Sequence, residues 1–200
     1  TIITSVGTLT ISIDASDSAP DAQQIVQGAV GVNLGQFKFA AGVNEDMKVD
    51  QVIVTASSTN STAPSTFSNL RLVDTSTGFE VATGQALQAS TTAIGAYTSV
   101  FTFTPTLVVT KSTTKIYKVL ADVASISASP TSHNKPYVIG VLYTGDVTAY
   151  GGTSNTVVVA AGTFPLLAET QTVLKTKLTA AMTVLGAASG RMRSTEDRIG

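Results

Sequence analysis

The chain has 200 residues, of which 43% are hydrophobic and 12% are charged, and its net charge at pH 7 is −1. This balance is typical of a folded protein. It excludes a strong positive field of the kind that attracts nucleic acid or an anionic membrane surface. The chain contains no cysteine and one histidine, His133. Disulfides and thiolate catalysis are therefore excluded, and no partners for Ser-His-Asp or multi-histidine metal chemistry can be identified.

Hydroxyl side chains supply most of the polarity, since the chain contains 32 Thr and 20 Ser. Apolar residues alternate with these hydroxyls over short runs that turn residues separate, which predicts an all-β sandwich. In the first run, residues 7–13, the apolar side chains share one face of a strand. In the second run, residues 32–39, the apolar positions change parity at Gly35, which predicts a β-bulge there.

The middle of the chain continues this pattern. Residues 47–55 form the next predicted strand, and residues 57–68 form a polar loop. Pro105 is predicted to end a strand or to mark a sheet edge, and residues 137–143 are apolar on both faces, which predicts a central strand. The other predicted strands are residues 69–73, 79–81, 97–104, 107–109, 115–123, 146–150 and 156–160. The total is about ten strands before Gly162, within the range of an extended sandwich.

Residues 163–200 differ from the predicted sandwich at residues 1–162. The spacing of Leu174, Leu178 and Met182 fits an amphipathic helix, whereas the frequent Thr and the alternation of apolar residues up to Val184 favour a strand. We therefore predict a linker followed by the start of a second module or by an assembly strand. The side chains expected to contact another module or subunit are Leu174, Leu178, Met182 and Val184.

Several segments together carry a resemblance to a protein family. In chain order they are GTLTISIDAS, LGQFKFAAGVNEDMKVDQVIVTAS, FSNLRLVDTSTGFEVATG, KIYKVLADVAS and GDVTAYGGTSN. This order resembles the immunoglobulin-like repeat modules of large, Thr/Ser-rich bacterial cell-surface proteins of the surface-layer or filament type. The resemblance implies an immunoglobulin-like antiparallel β-sandwich with an extended C-terminal tail and an extracellular structural role, and it assigns no catalytic residue.

Two groups of carboxylates are candidates for a calcium site. Calcium takes six to eight oxygen ligands, which Asp and carbonyl groups in loops between sandwich strands can supply. EF-hand and RTX spacings are absent, so solvated loop acids are the favoured interpretation and calcium is the alternative. The candidate ligands are Asp14, Asp17, Asp21, Glu45 and Asp46. No other cofactor is expected.

Two further signals concern glycans. Asn60-Ser61-Thr62 matches the N-glycosylation pattern inside a polar loop, so Asn60 is a candidate modification site. The tyrosines could stack against a sugar, although their distribution over alternating strands favours ordinary packing. The five are Tyr97, Tyr117, Tyr137, Tyr143 and Tyr150.

These observations favour a non-enzymatic extracellular protein at the cell surface. The first hypothesis is a structural module that assembles with copies of itself into a layer or filament, through strand exchange or edge contacts. The alternatives are an adhesin or carbohydrate-binding module on a surface stalk, which would bind surface glycans through the loops at residues 57–68 and 125–135, and a viral capsid or tail decoration protein. No apolar run approaches the ~18 residues of a membrane-spanning helix, so membrane insertion is not expected.

Overall fold

The computed structural model describes residues 6–16, 19–58, 63–91, 96–129 and 133–176. Over these residues the chain folds into two β-sheets that share one hydrophobic core. The strands are β1 (Leu9–Ile13), β2 (Gln23–Val26), β3 (Val32–Ala41), β4 (Met47–Ser58), β5 (Phe67–Asp74), β6 (Glu80–Thr83), β7 (Gln88–Ala89), β8 (Ala96–Val109), β9 (Thr114–Val123), β10 (Lys135–Val141), β11 (Val147–Gly151), β12 (Val157–Val158), β13 (Leu166–Leu167) and β14 (Gln171–Leu174). One helical turn, α1 (Ala63–Thr66), and one 3₁₀ turn, Thr144–Asp146, complete the described elements.

The smaller sheet is antiparallel and has the strand order β1-β3-β9-β5-β6. Side chains at alternate positions of its strands point into the core. In β9 these are Tyr117, Val119, Ala121 and Val123, of which the most exposed has 4% of its surface accessible. The opposite face of β9 carries charged side chains. The alternation read from the sequence is therefore present in the strand.

The larger sheet has the order β12-β11-β4-β10-β14-β2, with β8 paired to β4, β7 paired to β8 and β13 paired to β10. β4 pairs with β8 along its length, while its other side pairs first with β11 and then with β10. β10 is thus an internal strand, as the sequence predicts. The pairing of β14 with β2 is parallel, in contrast to the antiparallel pairings elsewhere in this sheet.

The N-terminal strands divide between the two sheets. β1 pairs with β3 in the smaller sheet, whereas β2 pairs with β14 in the larger one. After β2 the chain returns to the smaller sheet, where the Val123 N–H donates to the Ala29 carbonyl (2.8 Å). One short N-terminal stretch therefore connects both layers of the sandwich.

The predicted all-β, immunoglobulin-like sandwich is confirmed, and so is the irregularity at Gly35. The β3–β9 register shifts between Asn33 and Gly35, and a Cβ on Gly35 would lie 2.5 Å from the Ala168 Cβ. A larger residue would collide with the neighbouring backbone segment at this point. The bulge therefore coincides with a close approach between the two sheets.

Two local predictions need correction. The segment predicted as a loop at residues 57–68 contains the end of β4, the helical turn α1 and the first residues of β5. This turn is fixed from within the core, because the hydroxyls of Thr66 and Tyr137 lie 2.8 Å apart in a buried hydrogen bond. Pro105 does not end a strand, since β8 continues to Val109 with a register shift opposite Asp50 that accommodates the missing N–H. The alternative prediction of a sheet edge agrees with the pairing, because no described strand lies beside Pro105 on the side away from β4.

The predicted boundary at residue 162 does not coincide with the end of the sandwich. β13 pairs with β10, and β14 lies between β10 and β2 in the larger sheet. Leu174, predicted to contact another subunit, is half-buried beside Val26 of its own chain. Its placement follows from β14 being the strand that holds β2 in the sheet. Residues 177–200 lie outside the described part of the chain.

Glu45 joins three loops at one end of the sandwich. Its carboxylate accepts hydrogen bonds from the backbone N–H groups of Gly7, Thr153 and Ser154 (2.9 Å each) and from the Ser154 hydroxyl (2.7 Å). The hydrogen bonds from Ser154, together with those from Gly7 and Thr153, lower the pKa of Glu45 from 4.5 to about 2. The ionised form is therefore the one that the fold stabilises.

We predict that Glu45→Gln removes part of the acid sensitivity of the fold. Because the folded-state pKa lies below the unfolded one, the carboxylate stabilises the fold fully above pH 4.5, and this stabilisation is lost as the pH falls toward about 2. Thermal unfolding measured across this window should show a shallower decline in melting temperature for the variant than for the native chain. Glu169→Gln, at an exposed position, is the matched control, and an equal decline in all three proteins would contradict the prediction.

In the part of the chain that the structure describes, no helix has the length and apolar character needed to cross a membrane.

Candidate functional site

Beyond Lys48 and Asp50 at one end of β4, the outer face of the larger sheet is an extended surface without ionisable side chains. It is built by β2, β14, β10, β4 and β8, whose alternate residues point away from the core. The inward set includes Ile25, Val173 and Ile139, each at most 4% exposed. The outward set, called the uncharged face below, consists of Gln24, Val26, Ile53, Ser57, Thr98, Val100, Pro136, Val138, Thr172 and Leu174.

Strand register places these side chains in rows across the sheet. Ser57 lies opposite Val138, and Pro136 lies opposite Thr172. Thr172 is in turn beside Gln24. Directly paired residues have Cβ atoms about 5 Å apart, so neighbours in a row contact each other. The result is a continuous surface of β-branched, hydroxyl and amide groups.

Two shallow depressions cross this surface and share Thr170 in their walls. One, of about 450 Å³, is lined by Ser57, Ser58, Pro136, Val138 and Thr170. The other, of about 490 Å³, lies toward the edge of the sheet and is lined by Ala22, Gln23, Gln24, Thr170 and Thr172. Both are open to solvent and have hydroxyl, amide and aliphatic walls. Such a surface can receive a protein segment but offers no group that transfers protons near neutral pH.

The outer face of the smaller sheet has the opposite character. Lys118 of β9 points outward there, and the Arg71 guanidinium pairs with the Asp122 carboxylate at 3.2 Å. The Asn69 amide, the Gly31 N–H and the Arg71 charge together lower the pKa of Asp122. The two outer faces of the sandwich therefore differ sharply in charge, although both are built from the same alternating pattern.

A polar cluster borders the uncharged face near one end of β4. The Asp50 Oδ1 accepts hydrogen bonds from the Tyr150 hydroxyl (2.7 Å) and the Thr106 hydroxyl (2.9 Å). The Lys48 Nζ lies 6.0 Å from the centroid of the Tyr150 ring, within the range of a cation–π contact. The two ionic side chains of β4 thus lie together at this end of the strand.

The structure divides the predicted calcium ligands between two places: Asp14 and Asp21 line one cavity together with Glu169, whereas Glu45 and Asp46 lie elsewhere. Asp14 ends β1 and pairs with Lys38 (3.0 Å), while Glu45 and Asp46 lie in the turn between β3 and β4. Burial raises the pKa of Asp14, but hydrogen bonds from Ser16 and Lys38 outweigh it and lower the pKa overall. Asp21 is exposed, and its backbone carbonyl accepts from the Gln171 amide (3.1 Å).

The remaining carboxylate contacts explain why these acids do not converge. Asp46 accepts the Lys111 N–H (2.8 Å), and Glu45 is occupied by the four loop hydrogen bonds described above. Over residues 6–16, 19–58, 63–91, 96–129 and 133–176, no three His, Asp or Glu side chains are close enough together to hold a metal ion. Asp17 lies outside these ranges. Calcium binding by these acids stays an untested alternative.

The other predicted site residues fall in two groups. Asn60, Leu178, Met182 and Val184 lie outside the described residues, so their roles stay predictions. His133 is exposed, and its Nδ1 accepts the Lys175 N–H at 3.0 Å, which fixes the chain end of β14.

The tyrosines do not form one stacking surface. Tyr117 and Tyr137 are fully buried and make edge-to-face contacts with Phe39 (5.4 Å between centroids) and Phe67 (4.9 Å). Tyr143 is 46% exposed in a turn, and Tyr150 belongs to the polar cluster. Core packing therefore accounts for Tyr117 and Tyr137, which is the interpretation that the sequence favours.

Comparison with known proteins gives little beyond the sandwich. No protein-family model and no curated protein matches the chain. Among solved structures, it is similar to a chain of the complex of CaDoc0917 with CaCohA2, at a TM-score of 0.34 and 8% identity, covering 84% of this chain and 100% of that chain.

Two other similar structures are cohesin modules. One is from a family 33 glycoside hydrolase of Clostridium perfringens, at a TM-score of 0.30 and 13% identity, covering 86% of this chain and 98% of that chain. The other is the second type II cohesin module of the cellulosomal adaptor ScaA scaffoldin of Acetivibrio cellulolyticus, at a TM-score of 0.31 and 10% identity, covering 82% and 96%. The fold assignment rests on the strand pairing of the chain itself.

We predict that Gly140→Ala destabilises the pairing of β10, a strand of the uncharged face, with β13. A Cβ on Gly140 would lie 2.6 Å from the Leu166 carbonyl oxygen and 2.7 Å from the Leu167 Cδ2. Because the first of these atoms is backbone, β13 must move, at a cost of about 1–3 kcal/mol. Urea unfolding measures this cost. Gly145→Ala is the control, since a Cβ at Gly145 has no heavy atom within 4 Å, and equal stability of the two variants would contradict the prediction.

Proposed function

We propose that this chain is a non-catalytic structural module of an extracellular, cell-surface assembly and that it associates with copies of itself through the uncharged face. The observation that carries the proposal is the segregation of charge between the two outer faces. Charged residues are depleted at the buried centre of protein interfaces, because each charge must be desolvated there. The outer face of the larger sheet meets this condition, whereas the outer face of the smaller sheet does not.

The side chains of the uncharged face also suit a contact surface. Val, Ile and Thr are restricted at χ1 in a strand, so little side-chain entropy is lost when they are covered. Val138 and Pro136 supply apolar area, and Ser57 and Thr172 can exchange hydrogen bonds with a partner. The paired strands of the sheet hold these groups in place without rearrangement of the backbone. Binding energy is therefore not spent on ordering the surface.

The non-catalytic part of the proposal is supported by what the acidic groups do. Asp74 pairs with Lys115 (3.6 Å) and accepts from the Ser76 N–H and hydroxyl. Burial raises the pKa of Asp74, but these contacts outweigh it and lower the pKa. Glu45, Asp14 and Asp122 are held ionised in the same way. A general acid or base needs a pKa near the operating pH. The pKa values of these four carboxylates are lowered, which takes them further from neutral pH.

We predict that Val138→Lys weakens self-association at least tenfold. The new ammonium would lie at the centre of the uncharged face, and covering it in an interface without a partner charge is unfavourable. Sedimentation velocity over a concentration series measures the association. The matched control is Leu120→Lys, at a half-buried outward position of β9 in the smaller sheet. The proposal fails if both variants associate like the native chain, or if Leu120→Lys alone disrupts association.

A further inference from the structure

β2 forms an open edge of the larger sheet. It is the last strand in the sheet order and pairs with β14 on one side. The Gln27 N–H donates to the Leu174 carbonyl at 2.8 Å, which sets the phase of this parallel ladder. Alternate residues counted from Gln27, namely Ile25 and Gln23, point their backbone N–H and C=O groups toward β14, and the residues between them point theirs outward. Gln24 and Val26 therefore direct their N–H groups to the free side.

This edge lacks the usual protection against strand addition. Natural edges are blunted by Lys, Pro, inward charges or a covering segment, and the sequence of β2, Gln-Gln-Ile-Val, has none of the first three. The β1 edge, in contrast, is covered, since the Ile11 N–H donates to the Ala161 carbonyl and the Ala161 N–H donates to that of Leu9 (2.8 Å each). In the described part of the chain, β2 is the last strand on its side of the larger sheet.

The sequence supplies a segment that fits this edge. Residues 178–185, Leu-Thr-Ala-Ala-Met-Thr-Val-Leu, carry no charge, and in an extended conformation Leu178, Met182 and Val184 share one side. That side would continue the inner row of Ile25 and Val173, while Thr179, Ala181 and Thr183 would extend the uncharged face. An added strand satisfies the open N–H groups and covers apolar area at once.

The route of the chain favours a donor from another molecule. β14 runs parallel to β2, so the chain leaves the sheet beside Val26, where residues 27–31 cross to β9 through hydrogen bonds of Gly28 to Val123 and Ala124 (3.1 Å each). The free edge lies two strand spacings away, about 10 Å. An extended link from Leu174 to Leu178 spans about 14 Å, which leaves little length to pass around that crossing.

We infer that the open edge of β2 receives residues 178–185 of a second copy of this chain as an added strand. The inference rests on the proposed function and adds a contact at the sheet edge to the contact through the uncharged face. Each molecule then accepts one strand and donates one. Such a heterologous contact propagates into a linear assembly unless the rotation between copies closes a ring.

Disulfide trapping tests the inference in the full chain, which has no native cysteine to interfere. Gln24→Cys is mixed with each of Thr179→Cys, Ala181→Cys and Thr183→Cys under mild oxidation. A disulfide needs Cα atoms about 4.4–6.8 Å apart, which adjacent strands provide. We expect a covalent heterodimer with at least one donor variant. Ser57→Cys, on the uncharged face but away from the edge, replaces Gln24→Cys as the control and should give none.

Several outcomes would overturn the inference. One is the absence of a heterodimer with all three donor positions. Another is a disulfide that forms only within single molecules of the double variant Gln24→Cys/Ala181→Cys, which would place the segment on its own chain. Equal trapping by Ser57→Cys would indicate non-specific collision and would also reject it.

A second variant separates this inference from the proposed function. Gln24→Pro removes the outward N–H and leaves the pairing with β14, so association should fall at least tenfold while the melting temperature stays within a few degrees. If Val138→Lys abolishes association and Gln24→Pro leaves it intact, the uncharged face is an interface and the strand addition is wrong. If neither variant changes association, both proposals fail.

Discussion

The parallel pairing of β2 with β14 is the contact on which one side of the sandwich depends. β14 lies between β10 and β2 in the larger sheet. The chain enters β2 after it leaves the smaller sheet at the end of β1. The buried pair Ile25 and Val173 lies at this junction, with 4% and 0% of their surfaces exposed. Separating the pair would release β2 from the sheet, since β14 is also paired with β10, and would expose the end of the core beneath it. The second strand of the chain and the last described one thus stabilise each other, although about 150 residues separate them in the sequence.

Charge segregation follows from this topology. The chain has few ionic groups. Those of the described strands lie on the smaller sheet, at the polar cluster of Lys48, Asp50 and Tyr150, or at Lys135, the first residue of β10. Ionic loop residues such as Glu45 bind backbone N–H groups and fix loop geometry. Because the acids are used structurally, the larger sheet keeps an outer face of hydroxyl, amide and aliphatic groups. A chain that builds its polarity from Thr and Ser can leave such a face soluble and still able to associate.

Much of the fold could be predicted from the sequence, because alternation and turn residues are local signals. The bulge at Gly35, the buried row of β9 and the closing hairpin of β11 and β12 all follow from them. The helical turn before β5 and the continuation of β8 through Pro105 could not be predicted, since both depend on contacts with distant strands. The same holds for β14, whose four residues form a strand only because β10 and β2 lie on either side.

Only part of the uncharged face could be predicted from the sequence. The absence of charge from residues 51–58, 96–104 and 136–142 is visible in the sequence, but their assembly into one surface depends on strand order. A module without cysteine must obtain its stability from core area, closed edges or assembly. The core is extensive and the β1 edge is covered by its own chain, so the open edge of β2 is where assembly can add most. Pairing between copies at that edge would extend the larger sheet, and with it the uncharged face, from one molecule to the next.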